Sequence, residues 1–297
     1  MGGSKRLDLV LIRDHPELSR RKAREVIEKG QVSVDGVTVL DAGGPVGEGA
    51  RVAWDPNRPA RRRARSSLPI LYADEHLLVV DKPAGLLSVP SAPDAPDEDT
   101  VLARVQDYVR HLRPRHPFVG VVHRLDRDTS GALAFALEPS TRDALRALFR
   151  AHRIERYYAA LVVGAPRGER GEVDLPLRDS YEGGRRNVAR PGEAARPALT
   201  KWRLVEGFPH GALLEITLET GRQHQIRVHL AHVGMPVLGD SVYGRDTPSP
   251  VTARRQMLHA RTLAFVHPDT GQKVRADSPL PADFKKAFGA LRAKPRR

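Results

Sequence analysis

The densest polar cluster of the chain is HRLDRDTSG at 123–131, where Asp126 stands between Arg124 and Arg127. An ionised carboxylate in such company can act as a nucleophile or as a base. The same pattern also suits a plain polar loop whose aspartate caps a turn, and residue types alone leave both readings open. A second cluster is TGRQHQIRVH at 220–229. It falls where a strand runs into a helix, and the free N–H groups of a helix start can receive an anion. Arg222 and Arg227 could clamp phosphates there. His224, His229 and His232 raise a metal reading. No cysteine or nearby carboxylate completes a ligand set and no H-E-x-x-H pattern is present, so no metal is expected. There is no G-x-x-x-x-G-K-[ST] loop, no G-x-G-x-x-G after a strand and no G-x-S-x-G elbow, so no nucleotide cofactor and no hydrolase serine are expected.

Lysine and arginine total 49 against 36 acids, a formal net charge of +13 over 297 residues. Such an excess calls for an anionic partner, and RNA, DNA and an acidic membrane surface all qualify. The chain has no cysteine, which excludes disulfides, thiolate nucleophiles and cysteine-containing zinc sites. The first residues show no apolar core of a signal peptide, and the longest apolar runs are too short for a bilayer. A soluble, cytoplasmic protein is expected.

The elements that must hold these clusters can be placed from periodicity and punctuation. Ser19 is a candidate N-cap for a helix over 20–29 that carries Arg20, Arg21, Lys22 and Arg24, and Gly30 ends it. QVSVDGVTV at 31–39 alternates about Asp35-Gly36, which predicts a hairpin. A basic helix beside a hairpin suits phosphate contact. Residues 56–69 are rich in Pro, Arg and Ser and predict an extended linker. From 70 onward the pattern predicts strands over 77–80, 119–122, 132–137, 158–163 and 214–218. It predicts helices capped by Thr100 and Ser140, the latter with Leu145, Leu148, Phe149 and His152 on its apolar face, and a helix through Ile226, Leu230 and Val233. Many strands with few helices between them imply an α+β domain on a mixed, largely antiparallel sheet. The expected domains are 1–55, a linker over 56–69, and 70–297.

Taken in order, these clusters resemble the RluA family of pseudouridine synthases along nearly the whole chain. LYADEHLLVVDKPAGLLSVP at 71–90 is similar to the family's opening strand and Lys-Pro-x-Gly turn. His123, Arg124, Leu125, Asp126, Thr129, Ser130 and Gly131 match its signature loop. RYYAALV at 156–162 resembles its Lys-x-Tyr motif with Arg156 in place of lysine. LETGRQHQIRVHLAHVGMPVLGDSVYG at 218–244, Met257-Leu258-His259-Ala260 and His267-Pro268 resemble its remaining motifs. LSRRKAREVIEKGQVSVDGVTV at 18–39 is similar to the core of an S4 RNA-binding domain, with Asp35-Gly36 for the usual Asn-Gly.

The resemblance implies breakage of a uridine N1–C1′ bond, rotation of the base and rejoining through C5, on a nucleotide flipped out of its stack. It implies that Asp126 is the essential carboxylate, attacking C1′ or deprotonating C2′, and that Arg227 pairs with and orients it. Tyr158 would stack on the uracil and is a candidate base for a later step. Arg124 would fill the gap left by the flipped base, as a planar guanidinium can. Ile226 and Leu258 would line the pocket, with His123 and Arg222 among the substrate-binding residues and Arg20, Arg21 and Arg24 on RNA. His123 suits a structural role better than proton transfer, and Lys82 orients the Lys-Pro turn or touches RNA. No cofactor, a monomeric state and an RNA partner are implied, with large-subunit ribosomal RNA favoured over transfer RNA by the added S4-like unit. Two competing expectations stand beside this one: a non-catalytic RNA-binding assembly factor, and an N-glycoside hydrolase.

Overall fold

The structure, a computed structural model, describes residues 5–39, 41–58, 68–92, 98–180 and 185–293. The chain divides into two units, Met1–Ser66 and Ser67–Arg297. Residues 59–67, most of the expected linker, lie outside the described residues.

The first unit contains β1 (Lys5–Arg6), α1 (Leu7–Asp14), α2 (Arg20–Glu28), β2 (Val32–Val34), β3 (Val37–Thr38), β4 (Pro45–Val46) and β5 (Val52–Trp54). Ser19 caps α2, its hydroxyl accepting from the Lys22 amide at 3.2 Å. The β2–β3 turn has φ of +50° at Asp35 and +82° at Gly36, the left-handed pair that a tight hairpin requires. Leu7, Leu11, Ala23, Ile27 and Val32 meet in one small core. The arginines of α2 face away from it.

The second unit runs β6 (Ile70–Ala73), β7 (Leu77–Lys82), α3 (Val101–Leu112), β8 (Gly120–Val121), β9 (Ser130–Ala136), α4 (Pro139–Arg150), β10 (Glu155–Val163), β11 (Arg170–Asp174), β12 (Leu177–Arg178) and β13 (Ala195–Arg196). It continues with β14 (Leu199–Phe208), β15 (Gly211–Leu218), α5 (Gln225–His232), β16 (Leu258–Val266), β17 (Lys273–Asp277) and α6 (Ala282–Arg292). Its main sheet follows the order β11-β14-β15-β10-β16-β9-β7-β6, with β17 on β16 and β8 on β9. All of these pairings are antiparallel except β16 with β9. The fold is the α+β architecture with a mixed, largely antiparallel sheet.

The apolar run of β7 explains its place in mid-sheet. Leu78 and Val80 join one core with Leu133, Phe135, Ala160 and Ile226. Leu77 and Val79 enter a second core with Ala132, Ala134 and Leu145 on the opposite face. A strand covered on both faces loses the polar alternation of a half-exposed one.

Three expectations are corrected. Glu138 is the N-cap of α4 and Pro139 its first residue, so Ser140 lies inside the first turn. Proline needs no N–H partner there and arrives with helical φ, which fixes the start two residues earlier. His152 lies beyond α4 in left-handed conformation, φ +55°, and so is not part of its apolar face. Val233 follows α5 and is 43% exposed, whereas all of the first six residues of α5, polar ones included, are buried. The helix is embedded rather than amphipathic.

Candidate active site

The site forms where the 123–131 loop, β10, α5 and β16 converge. The loop is fastened from below by residues distant in sequence. The fully buried Lys82 donates from Nζ to the carbonyls of Arg127 and Thr129, both at 2.7 Å, and of Pro83 at 3.0 Å. Burial brings its ammonium down to about 7 against the pull of Asp126 and Asp128. Lys82 is thus a loop fastener out of reach of RNA. Ser88 adds two hydrogen bonds, donating to the Leu125 carbonyl and accepting from the Leu125 amide. Gln256 donates to the Thr129 hydroxyl at 3.0 Å, and Arg255 donates to the Asp128 carbonyl at 3.0 Å.

Thus braced, the loop closes a turn in which the Asp126 carbonyl accepts from the Thr129 amide at 3.1 Å. The Asp126 carboxylate is spared from capping. Its Oδ2 accepts from Arg227 Nη1 at 3.0 Å, and its side chain is 19% exposed, toward a cavity of about 580 Å³. Arg227 reaches this spot because α5 starts abruptly. The buried Gln225 side chain accepts from the Thr220 hydroxyl and the Arg222 amide and donates to the Leu199 carbonyl and the Thr200 hydroxyl. That network pins the loop-to-helix junction, and His224 adopts φ +60° to enter it.

Arg227 also donates from Nε and Nη2 to the two oxygens of Asp240, at 2.7 and 2.9 Å. Burial opposes its charge, but Asp240 and Asp126 outweigh that and hold the guanidinium firmly protonated. Burial likewise works against the Asp240 carboxylate, and hydrogen bonds from Arg227 prevail and hold it below the usual range. Tyr243 lies 5.0 Å from the guanidinium carbon, and its hydroxyl is 2.9 Å from His224 Nδ1. His224 Nε2 is 3.9 Å from Asp126 Oδ2, and burial favours its neutral form.

The structure brings most of the expected residues to this one cavity. His123, Arg124, Asp126, Tyr158, Arg222, Ile226, Arg227 and Leu258 all line it. Tyr158 follows a bulge between Tyr157 and Tyr158 against β16, a device that re-aims a side chain. It is 8% exposed, and burial pushes its phenol pKa up, so the hydroxyl keeps its proton at neutral pH. His123 Nε2 accepts from the Ala134 amide at 3.0 Å, and its ring lies 4.7 Å from that of Phe149. Burial drives its pKa down to about 3, with Arg156 adding to the effect. His123 is a neutral wall of the cavity. Arg124 is exposed at the cavity, and Arg222 is partly engaged with the Pro197 carbonyl at 3.1 Å. Arg156, standing where lysine is usual, donates to the Leu218 carbonyl at 2.9 Å and covers Phe149.

Arg20, Arg21 and Arg24 belong to the first unit. Arg24 donates to the buried Asp8 at 3.0 Å, and Arg20 lies 3.7 Å from it. Burial would raise the Asp8 pKa, but hydrogen bonds from Arg6 and Arg24 outweigh it. Arg21 is exposed.

Asp240 and Tyr243 went unread in the sequence as site residues, and His224 was read only as a metal candidate. All three lie within the 218–244 stretch that resembles a family motif, and only the fold shows that they meet at the site. His229 is structural, 2.9 Å from both the Thr200 hydroxyl and the Leu175 carbonyl. Among the described residues no group of three or more His, Cys, Asp or Glu side chains could hold a metal ion, and no helix is long and apolar enough to cross a membrane.

The family described as RNA pseudouridylate synthase matches residues 76–232, and the S4 domain matches residues 5–52. A relative from Xanthomonas campestris pv. campestris, ribosomal large subunit pseudouridine synthase D, is 38% identical, with 97% of this chain and 89% of the relative covered. Its namesake from Pseudomonas aeruginosa is 36% identical over 98% of this chain and 93% of its own length. The solved structure of human RNA pseudouridylate synthase domain containing 4 shares the fold, with a TM-score of 0.63 at 24% identity, covering 75% of this chain and 93% of that one. The chain belongs to the RNA pseudouridylate synthase family and is an RNA pseudouridine synthase carrying an S4 domain.

Proposed function

We propose that this enzyme isomerises uridine in large-subunit ribosomal RNA, with Asp126 as its catalytic carboxylate. The observation that carries the residue assignment is the Arg227–Asp126 pair in the lining of the cavity, with Asp126 partly open to it. The ribosomal target is supported by the names of the relatives and by the presence of the S4 domain in the same chain.

In this reading the target nucleotide leaves its stack and its uracil enters the cavity. Asp126 acts on the ribose, at C1′ or at the C2′ proton, while Arg227 holds it in place. The N1–C1′ bond breaks, the freed uracil turns, and C5 bonds to C1′ with loss of the C5 proton. The C5 proton is released and N1, freed from the ribose, takes up a proton, so the base is isomerised with no electron gained or lost and the reaction needs no co-reactant. Tyr158 packs against the uracil, with its proton in place at neutral pH, and Ile226 and Leu258 supply apolar walls. Arg124 stands at the cavity to occupy the vacated position in the RNA, and Arg222 and the α2 arginines meet phosphate. The domain roles follow: residues 1–55 bind RNA, 56–69 connect and 70–297 catalyse. The enzyme works as a cytoplasmic monomer.

The test offers unmodified ribosomal RNA, intact large subunits and transfer RNA, each tritiated at uridine C5, and counts tritium released to water. Release from ribosomal RNA or subunits is the expected result. Release from transfer RNA alone would contradict the assigned target.

A further inference from the structure

We infer that Arg156 is a phosphate-binding residue of the substrate cavity, seated to receive the backbone phosphate beside the target uridine once that nucleotide has left its stack. The inference rests on the reading of Asp126 as the catalytic carboxylate, and hence of its cavity as the seat of the flipped uridine. Arg124, Arg150, Arg156, Arg222 and Arg227 line that cavity, and Asp126 is the one acid beside them among the described residues. Asp126 already engages Arg227. Among the described residues the other four arginines form no ion pair with a carboxylate. Arginines elsewhere on the surface are commonly paired, as Arg13 is with Asp14, Arg203 with Glu215 and Arg275 with Asp277. Cations gathered without counter-charges repel one another, and an incoming phosphate relieves that repulsion.

Arg156 stands apart from the other three in how it is held. It lies two residues before Tyr158 on β10, on the same face of the strand, and both side chains line the cavity. Its guanidinium is fixed by neutral groups. Nη2 donates to the Leu218 carbonyl at 2.9 Å, and the guanidinium carbon lies 5.6 Å from the centre of the Phe149 ring. Nε is buried with no hydrogen-bond partner among the described residues. A purely structural arginine rarely leaves a buried donor unused. Nη1 lies against Gly221, where an added Cβ would come within 2.9 Å of it. The backbone of Gly221 is not in the left-handed region, so the glycine makes room for the guanidinium rather than for a turn. The seat thus draws on β10, α4 and the junction between β15 and α5. Glu219 at that junction is paired with Lys201 at 2.9 Å, which leaves the charge of Arg156 unanswered. Uracil is neutral and cannot answer it either. A fixed guanidinium on the wall beside Tyr158 is therefore matched to the phosphate that enters with the nucleotide.

The experiment measures kcat/KM for tritium release from unmodified ribosomal RNA tritiated at uridine C5, across a salt titration. The proteins are wild type, Arg156→Gln, Arg156→Lys, Gly221→Ala, the Gly221→Ala/Arg156→Lys pair and Asp126→Asn. Loss of one phosphate contact makes the fall of log kcat/KM with log salt shallower by about 1. The expected result for Arg156→Gln is that shallower slope, with kcat/KM about tenfold or more below wild type at low salt. Arg156→Lys keeps the charge and should keep the wild-type slope. A wild-type slope in Arg156→Gln would overturn the inference at any level of activity, because a contact to the base or to Tyr158 releases no counterion. Should Arg156→Gln fail to fold, Gly221→Ala leaves every charge in place and displaces the guanidinium. It should lower kcat/KM about tenfold in the wild-type background. In the Arg156→Lys background, where Nη1 is gone, it should cost less than about twofold, the non-additivity of residues in contact. Equal losses in the two backgrounds, or none in either, would overturn the inference. Asp126→Asn separates the two levels of the argument. An active Asp126→Asn would overturn the reading of Asp126 and the inference with it, whereas an inactive one beside an Arg156→Gln of wild-type slope would refute the phosphate contact alone.

Discussion

Single residues in this site owe their character to burial and to the one or two groups that face them. His123 lies in the signature loop and invites an acid–base role. It accepts a backbone hydrogen bond through Nε2 and has its pKa driven down to about 3 by burial. A proton on that ring would leave an uncompensated buried charge and break the bond to Ala134. The sign of its effect on stability follows by linkage. The unfolded chain takes up a proton on His123 as pH falls below about 6.5, while the folded one does so only near 3. The contribution to stability is therefore complete above the unfolded pKa and is lost as pH falls toward the folded one. Thermal unfolding between these limits should show a steep loss on acidification in wild type and a shallower one in His123→Asn. Parallel curves would mean that His123 is not held neutral.

At the scale of elements, the parallel pairing of β9 with β16 decides where the catalytic loop ends. Ser130 and Gly131 stand opposite His259 and Ala260, and Ser130 Oγ is 2.9 Å from His259 Nδ1. Gly131 is required there. Its φ is +119°, and a Cβ would lie 2.2 Å from the Ala260 carbonyl oxygen. Gly131→Ala should cost at least about 2 kcal/mol of stability through combined strain and overlap, read as a lower unfolding midpoint in denaturant. An unchanged midpoint would contradict the close approach of the two strands. This junction also marks how far the sequence could be read. The apolar run of β7, the caps Ser19 and Thr100 and the Asp35-Gly36 hairpin were legible because their signals are local. Ser130 and Gly131, read as loop, are the first residues of β9, because their pairing partner lies more than a hundred residues onward. Asp240 was illegible for the same reason. It lies 13 residues from Arg227, inside a stretch read only as a resembling motif with no role for this residue. Asp126, Arg227 and Tyr158 were legible through resemblance. From residue types alone, Asp126 could equally have been capping a turn.

For the molecule as a whole, the net charge of +13 suits an anionic partner, and membership of an RNA-modifying family identifies that partner as RNA. The α2 arginines do not contribute alike. Arg24, and more loosely Arg20, are engaged with the buried Asp8, so replacing Arg24 by glutamate would set two carboxylates against each other and confound binding with stability. Arg21 is exposed and offers the cleaner probe. Arg21→Glu should weaken RNA binding, reduce the slope of log affinity against log salt by about 1 and leave the rate on saturating RNA unchanged. Affinity equal to wild type throughout a salt titration would remove Arg21 from the RNA-binding surface.

The most direct test of the central claim replaces one atom of the proposed catalytic group. Asp126→Asn keeps the size of the side chain and the means to accept from Arg227, and loses the carboxylate charge. Purified wild type and Asp126→Asn are incubated with unmodified RNA tritiated at uridine C5, and tritium released to water is counted. Release by wild type with none above background by Asp126→Asn is the predicted result. Equal release by both would take Asp126 out of the reaction and contradict the account.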